Sequence, residues 1–307
     1  MDNMRVVGRG LRFPEGPVAM SDGSIYVTEI EGGSVSRVDP HGKVTLVARL
    51  GGGPNGMAVG PDGALYVCNN GGLIFEQGDH GYRVIHGTPP TYTSGSIQRL
   101  DPKTGEFKVL YDRCGDFRLY APNDIVFDKS GGFYFTDFGK TRARDRDIGS
   151  LHYALPDGSL ITEIVHPIAN PNGIGLSPDQ QTLYVTETET ARLWAYRILS
   201  PGVVEKLPAP SPNGGRLVCG LPGYQRLDSL AIDSSGNICV ATLITGLVTV
   251  IAPSGEVLRK IKMPDHHTTN ICFGGPDLRK AYVTQSTTGQ LIEMDWPEPG
   301  LRLNYEI

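Results

Sequence analysis

Helical periodicity is missing from this chain of 307 residues: nowhere do apolar side chains recur at the spacing that buries one face of a helix. Without crossover helices a parallel α/β fold is excluded. Long hydrophobic runs are missing too. The longest are strand-sized, against the roughly 20 residues that span a bilayer, so no membrane is expected as a partner. The opening MDNMRVVGRG carries no apolar signal-peptide core. Cysteine is scarce, with five residues (Cys68, Cys114, Cys219, Cys239, Cys272) and no CxxC pair. That pattern argues against a disulfide framework and for reduced thiols in a cytoplasmic protein. The net charge is −5 and no basic stripe appears, which argues against nucleic acid. No GxSxG occurs, and no Ser or Cys stands paired with a His, so nucleophilic catalysis is disfavoured. No Gly/Ser linker or charge block divides the chain, and residues 1–307 are expected to form one domain.

What the chain does have is a phrase used six times. Its copies are EGPVAMSDGSIYVTE from Glu15, NGMAVGPDGALYVCN from Asn55, NDIVFDKSGGFYFTD from Asn123, NGIGLSPDQQTLYVTE from Asn172, DSLAIDSSGNICVAT from Asp228 and NICFGGPDLRKAYVTQ from Asn270. The opening residues lie 40, 68, 49, 56 and 42 positions apart. Each copy reads as strand, tight turn, strand. A second hairpin follows, as in GSIQRLDPKTGEFKVLY from Gly95, GSLHYALPDGSLITEIV from Gly149 and RLWAYRILSPGVV from Arg192. Four strands per unit and six units of this period predict an all-β, six-bladed β-propeller with four-stranded antiparallel blades. Either Arg5–Val7 or the C-terminal stretch from Leu301 is expected to complete the last blade and remove its open edge. The second unit carries an insertion at about 70–94, long enough to act as a lid over one end of the channel.

If six blades ring one axis, their opening residues ring it as well. Glu15, Asn123, Asn172 and Asp228 are the candidate ligands of one metal. Two carboxylates and two amide oxygens form a hard donor set that suits Ca²⁺, with other divalent ions as alternatives. The ring contains no His or Cys, which argues against Zn²⁺. The second strands end on Glu29, Asn69, Asp137, Glu187, Thr242 and Gln285, and at least half of these are expected to be solvated loop residues. His41, His80, His86, His152 and His166 are also read as solvated, whereas His266-His267, just before Asn270, are placed to reach the pocket.

At these residues the chain resembles the gluconolactonase / senescence-marker-protein (regucalcin) family of calcium-dependent six-bladed propellers. The motifs are Phe13-Pro14-Glu15-Gly16-Pro17, Pro122-Asn123-Asp124-Ile125, Pro171-Asn172-Gly173-Ile174 and Leu227-Asp228-Ser229-Leu230. The stretches at 132–138 and 183–188 look most like the drug-responsive lactonase and diisopropylfluorophosphatase side of the group. The resemblance implies Glu15, Asn172 and Asp228 as metal ligands, Asn123 as ligand or substrate contact, and an added contact from Ser229. Sugar lactonases of the group typically carry Arg two residues before the Asn of the PND-like motif. Ala121 stands there instead, with Arg118 out of register, which favours a less polar lactone or ester.

The activity implied is a Ca²⁺-dependent hydrolase that opens a lactone, a small-molecule substrate, by polarising its carbonyl for attack by water. Asp228 is the family-style proton acceptor, and Asp124 is the alternative. Asn55, Asn70, Tyr120, Asn123 and Asn270 are the expected substrate contacts, with Tyr120, Phe117 and Phe138 as apolar walls. An organophosphate hydrolase using the same pocket, or a non-enzymatic calcium-binding propeller, are the alternative functions.

Overall fold

Each unit begins with a hairpin that its turn residues dictate. In the first, Met20 N donates to Ser24 O at 2.9 Å and Gly23 N to Met20 O at 3.0 Å. Gly23 sits at φ 79°, a conformation that residues with a Cβ adopt only under strain. The computed structural model describes residues 4–78, 83–85 and 87–305. His80 and His86, read above as solvated, lie outside the described residues.

Six antiparallel sheets form the six blades of a propeller, each running from inner to outer strand. Blade 1 is Pro14–Ala19, Ile25–Glu29, Ser34–Val38 and Val44–Arg49, and blade 2 is Pro54–Val59, Leu65–Asn69, Ser96–Leu100 and Phe107–Tyr111. Blade 3 is Pro122–Phe127, Phe133–Asp137, Gly149–Ala154 and Ile161–Ile168, and blade 5 is Arg226–Ile232, Ile238–Leu243, Leu247–Ile251 and Val257–Lys262. Blade 4 departs from the expected hairpin. After Pro171–Leu176, Thr182–Glu187 and the long Arg192–Ser200, only Val203–Val204 turns back directly. The full outer strand comes later, at Arg216–Gly220. Blade 6 is Thr268–Gly274, Lys280–Gln285 and Gln290–Asp295, closed by the N-terminal strand Arg5–Arg9. The other terminal stretch has a different place. Leu301 N donates to Ile232 O at 2.9 Å and Asn304 Nδ2 to Phe127 O at 2.8 Å, so Leu301–Tyr305 lines the lower end of the central channel.

The apolar core consists of six clusters, and each fills one seam between neighbouring blades. Val126 and Tyr134 of blade 3, for example, pack with Leu183 and Trp194 of blade 4. Alternation makes this possible, because a strand within a blade is covered on both faces by the adjoining blades. None of the five cysteines is in a disulfide. No helix is long and apolar enough to cross a membrane among the described residues.

The inner strands all begin at the same end of the barrel axis, here called the upper face. The second strands end there, so the blade 2 insertion also emerges there. It is tied to both neighbouring blades. Phe75 packs on Phe13 with ring centroids 5.0 Å apart, and Arg83 Nε donates to Glu31 Oε2 at 2.9 Å. On the other side Tyr92 Oη donates to Tyr120 O at 2.6 Å and Thr88 Oγ1 to Thr141 O at 2.9 Å. Lys140 is buried, donates to Gly72 O at 2.6 Å and lies 4.9 Å from the centre of the Tyr92 ring. Burial lowers its pKa to about 8, opposed by the nearby Asp137 and Asp147 carboxylates.

Candidate functional site

Every inner strand is bulged at its upper end. Pairing with the second strand skips between Glu15 and Val18, Pro54 and Met57, Pro122 and Ile125, Pro171 and Ile174, Leu227 and Leu230, and Thr268 and Asn270. A bulge re-aims the residue it contains. The skipped stretches contain Asn55, Asn123, Asn172 and Asp228 and border Glu15 and Asn270, and all six are buried. Phe13 and Asn170, just before Pro14 and Pro171, hold positive φ values of 57° and 45°. Such strain in non-glycine residues persists only where the surroundings impose it.

Two sets of side chains hold the bulges. The first is the Thr of the second strand. Thr28 Oγ1 donates to Asn55 O at 2.5 Å, Thr136 Oγ1 to Asn172 O at 2.7 Å and Thr186 Oγ1 to Asp228 O at 2.7 Å. Two of these hydroxyls also accept from the bulge of their own blade, with Asp124 N reaching Thr136 at 3.0 Å and Gly173 N reaching Thr186 at 2.8 Å. The Thr136 and Thr186 latches therefore each tie two neighbouring blades together at the ring. The repeated Thr of YVTE, FTD and YVTE was its sequence signal.

The second set is the row of second-strand ends. At least half were expected to be solvated, but Glu29, Asn69, Asp137, Glu187, Thr242 and Gln285 are all buried. Five of them accept backbone N–H groups of the segment leading into an inner strand. Glu29 takes Arg12 N at 2.7 Å, Asn69 takes Gly53 N at 2.9 Å and Asp137 takes Tyr120 N and Ala121 N at 2.7 and 2.6 Å. Glu187 takes Ala169 N at 3.1 Å and Gln285 takes Asp265 N at 2.9 Å. These segments cannot join a ladder, so side chains supply the acceptors that buried N–H groups need. His152 is likewise buried rather than solvated, stacked on Phe135 at 4.9 Å, with Nε2 2.8 Å from Ser150 Oγ.

Within the ring, Glu15 Oε2 accepts from Asn270 Nδ2 at 2.8 Å and from Gly16 N at 2.9 Å. Asn172 Nδ2 donates to Thr188 Oγ1 at 3.1 Å, and its Oδ1 accepts from Ser229 Oγ at 3.4 Å. Asn123 Oδ1 is buried without a hydrogen-bond partner. Asp124 faces the channel just below, accepting Ile125 N at 2.9 Å and Ile174 N at 3.4 Å. Three carboxyl groups are thus buried close together. Burial raises the pKa of Glu15, of Asp228 well above the usual range, and of Asp124 to about 7, and Glu15 repels both of the others. Among the described residues none of the three forms an ion pair.

The remaining expected residues are distributed as follows. Asn55 is a ring member whose backbone carbonyl takes the Thr28 latch. Asn70 is buried in the turn that starts the insertion, where its Oδ1 accepts Gly72 N at 2.8 Å. Tyr120 is half-buried beneath Tyr92, and Ala121 is held through its backbone by Asp137. Phe117 is 73% exposed on a two-stranded hairpin with Arg113–Cys114, and so forms no inner wall. Arg118 donates to Thr93 O at 3.3 Å in the insertion.

Asp265, His266 and His267 bring three possible ligand atoms within 4.8 Å of one another. Asp265 is already occupied. Its oxygens accept from His267 N at 2.9 Å, Thr287 Oγ1 at 2.5 Å, Thr288 N at 2.8 Å and Thr288 Oγ1 at 3.0 Å. This carboxylate shapes a loop, and it is the ring that holds acids without counter-charge.

Comparison with known proteins agrees with this architecture. A gluconolactonase of Zymomonas mobilis is 28% identical over 304 residues, spanning 88% of this chain and 76% of that protein. A lactonase drp35 of Staphylococcus saprophyticus is 31% identical over 264 residues, spanning 85% and 72%. Among solved structures, a gluconolactonase from Xanthomonas campestris aligns with TM-score 0.74 at 22% identity, covering 96% of this chain and 89% of that one. The calcium-binding protein regucalcin from Agrobacterium tumefaciens aligns with TM-score 0.72 at 20% identity, covering 98% of each. At such identities the structural likenesses speak for the fold alone. With residues 13–287 matching its family description, the chain belongs to the SMP-30/gluconolactonase/LRE-like family.

Proposed function

We propose that this protein is a divalent-metal-dependent hydrolase that opens a lactone or related ester, with Ca²⁺ as the ion. One observation carries the metal reading: three mutually repelling carboxyl groups are buried with no ion-pair partner among the described residues, next to the unpartnered Asn123 Oδ1. Buried charge of one sign is expelled or compensated. The donors fit a hard cation, and Glu15, Asn123, Asn172 and Asp228 would hold it. The lactone reading rests on family membership and on the relatives named gluconolactonase and lactonase.

A bound divalent cation would supply Lewis acidity toward a carbonyl oxygen. The chain's own groups do the rest. The insertion roof and buried ring limit water. Asp228 takes a proton from the attacking water, and Asp124, two blades away on the inner strand of blade 3, is the alternative acceptor. Water adds to the carbonyl carbon, the ring C–O bond breaks, and the proton passes to the departing oxygen. The product is the hydroxy acid. Ala121 offers no side-chain donor, which favours a lactone less hydroxylated than an aldonolactone.

The test is a panel of an aldonolactone, an aromatic lactone and an organophosphate, run on chelator-stripped protein with and without Ca²⁺. Lactone opening that depends on the ion supports the proposal. Turnover of the organophosphate alone would favour the phosphotriester reading, and binding of the ion with no turnover a calcium-binding propeller.

A further inference from the structure

Away from the ring the protein holds a second opening, a cleft of about 290 Å³ between blades 3 and 4 that none of the six ring residues lines. It follows from the irregularity of blade 4. The chain leaves that blade after Val203–Val204 and returns only at Arg216–Gly220, and the excursion supplies Pro212 and Asn213 as one wall. Asn213 Nδ2 donates to Glu187 Oε1 at 3.4 Å, which pins this wall to the second strand of the blade. Ile148, 57% exposed, and the exposed Pro167 line the cleft from blade 3. The cleft therefore has an apolar wall open to solvent and a volume at the small end of the range for ligand sites.

Most polar side chains of the cleft are spent on the protein itself. Glu187 accepts from Ala169 N at 3.1 Å and Thr190 Oγ1 at 2.6 Å as well as from Asn213. Asp147 accepts from Arg142 Nη1 and Nη2 at 2.9 and 2.8 Å. Asn170 gives its Nδ2 to Phe138 O at 3.2 Å and accepts from Arg146 Nη1 at 3.0 Å, which fixes that guanidinium at the cleft. Arg192, opposite Glu187 in the strand register, completes the lining. Among the described residues neither Arg146 nor Arg192 has a carboxylate partner, and Arg192 makes no side-chain hydrogen bond. Two guanidinium groups with most donors unspent thus stand beside an apolar wall, while both acids of the cleft are engaged elsewhere.

We propose that this cleft binds a small organic carboxylate with an apolar body, independently of the lactone reading. A guanidinium presents its N–H donors in a planar fork that matches a carboxylate. Ile148, Pro167 and Pro212 offer the body of the ligand a surface that sheds water on binding. A neutral ligand would leave the two charges unused, and an inorganic anion would leave the apolar wall wet. No ring residue lines the cleft, so its occupancy needs no metal ion.

The experiment titrates benzoate, neutral benzamide and inorganic phosphate into the full chain by calorimetry, with and without a chelator of divalent ions. Benzoate should bind saturably and equally well in both conditions, and at least about tenfold more tightly than benzamide or phosphate. Arg146→Gln and Arg192→Gln should each weaken benzoate at least about tenfold. Ile148→Glu, which sets a like charge on the apolar wall, should abolish binding. All three positions are exposed, so melting temperatures should match the parent's and show that the variants are folded. No saturable benzoate binding, or equal binding in the parent and both arginine variants, would overturn the site. Binding that disappears on chelation would place the carboxylate on an ion in the ring and overturn it too. Benzamide or phosphate binding as tightly as benzoate would overturn the ligand class.

Discussion

Two kinds of buried titratable residue make opposite demands, and both can be read by mutation. In the ring, Glu15→Gln and Asp228→Asn keep the side-chain shape and remove one charge each. Each should weaken Ca²⁺ binding at least about tenfold by calorimetry. Asn55→Ala and Asn270→Ala, outside the proposed four, should disturb turnover more than ion binding. Away from the ring, His152 must stay neutral, since burial lowers its pKa to about 3. The unfolded chain takes a proton at this residue below about pH 6.5 while the folded protein refuses it. Stability is therefore lost as pH falls from 6.5 toward 3, by about 1.4 kcal/mol per unit. His152→Phe should remove this component, so its stability relative to the parent should rise between pH 6.5 and 4.5. Urea titrations at several pH values would show it, and parallel pH curves for the two proteins would contradict it.

At the scale of strand and bulge, what positions the site is a repeated arrangement of Thr latches and carboxyl or amide staples. Thr186→Val leaves Asp228 O and Gly173 N without that hydroxyl. It should cost roughly 2 kcal/mol and lower ion affinity as well, because the released bulge carries Asp228. Asp137→Ala should cost about 2–3 kcal/mol, since Tyr120 N and Ala121 N lose their acceptor. Denaturant unfolding with parallel calorimetry would separate the two. The sequence made the blades legible because turn residues and alternating strands recur at a fixed period. It made the ring legible because Glu15 has no turn-forming reason to open a repeat. It did not reveal that Glu29, Asp137 and Glu187 are buried. A polar residue at a strand end reads as solvated until the segment it serves is known, and here that segment consists of loop N–H groups from distant positions. The pairing in blade 4 was misread for a similar reason: Arg192–Ser200 turns back at once for only Val203–Val204, and the outer strand arrives after an excursion.

At the scale of the whole molecule, we propose that the closed propeller presents Glu15 and Asp228, with Asp124 beside them, as acids whose charge a bound cation balances. Closure joins Arg5–Arg9 to Gln290–Asp295, so every ring position is pinned by a neighbour on both sides. The most direct measurement is a titration of Ca²⁺ into chelator-stripped protein near pH 7, with melting temperature and lactone turnover followed on the same samples. Because Asp124 holds its proton up to about pH 7 and Glu15 and Asp228 are also raised, ion binding should release protons, visible as a buffer-dependent heat. The account predicts saturable binding of one ion, a rise in melting temperature and the return of turnover together, all weakened in Glu15→Gln. Full turnover and an unchanged melting temperature in the ion-free protein would contradict it.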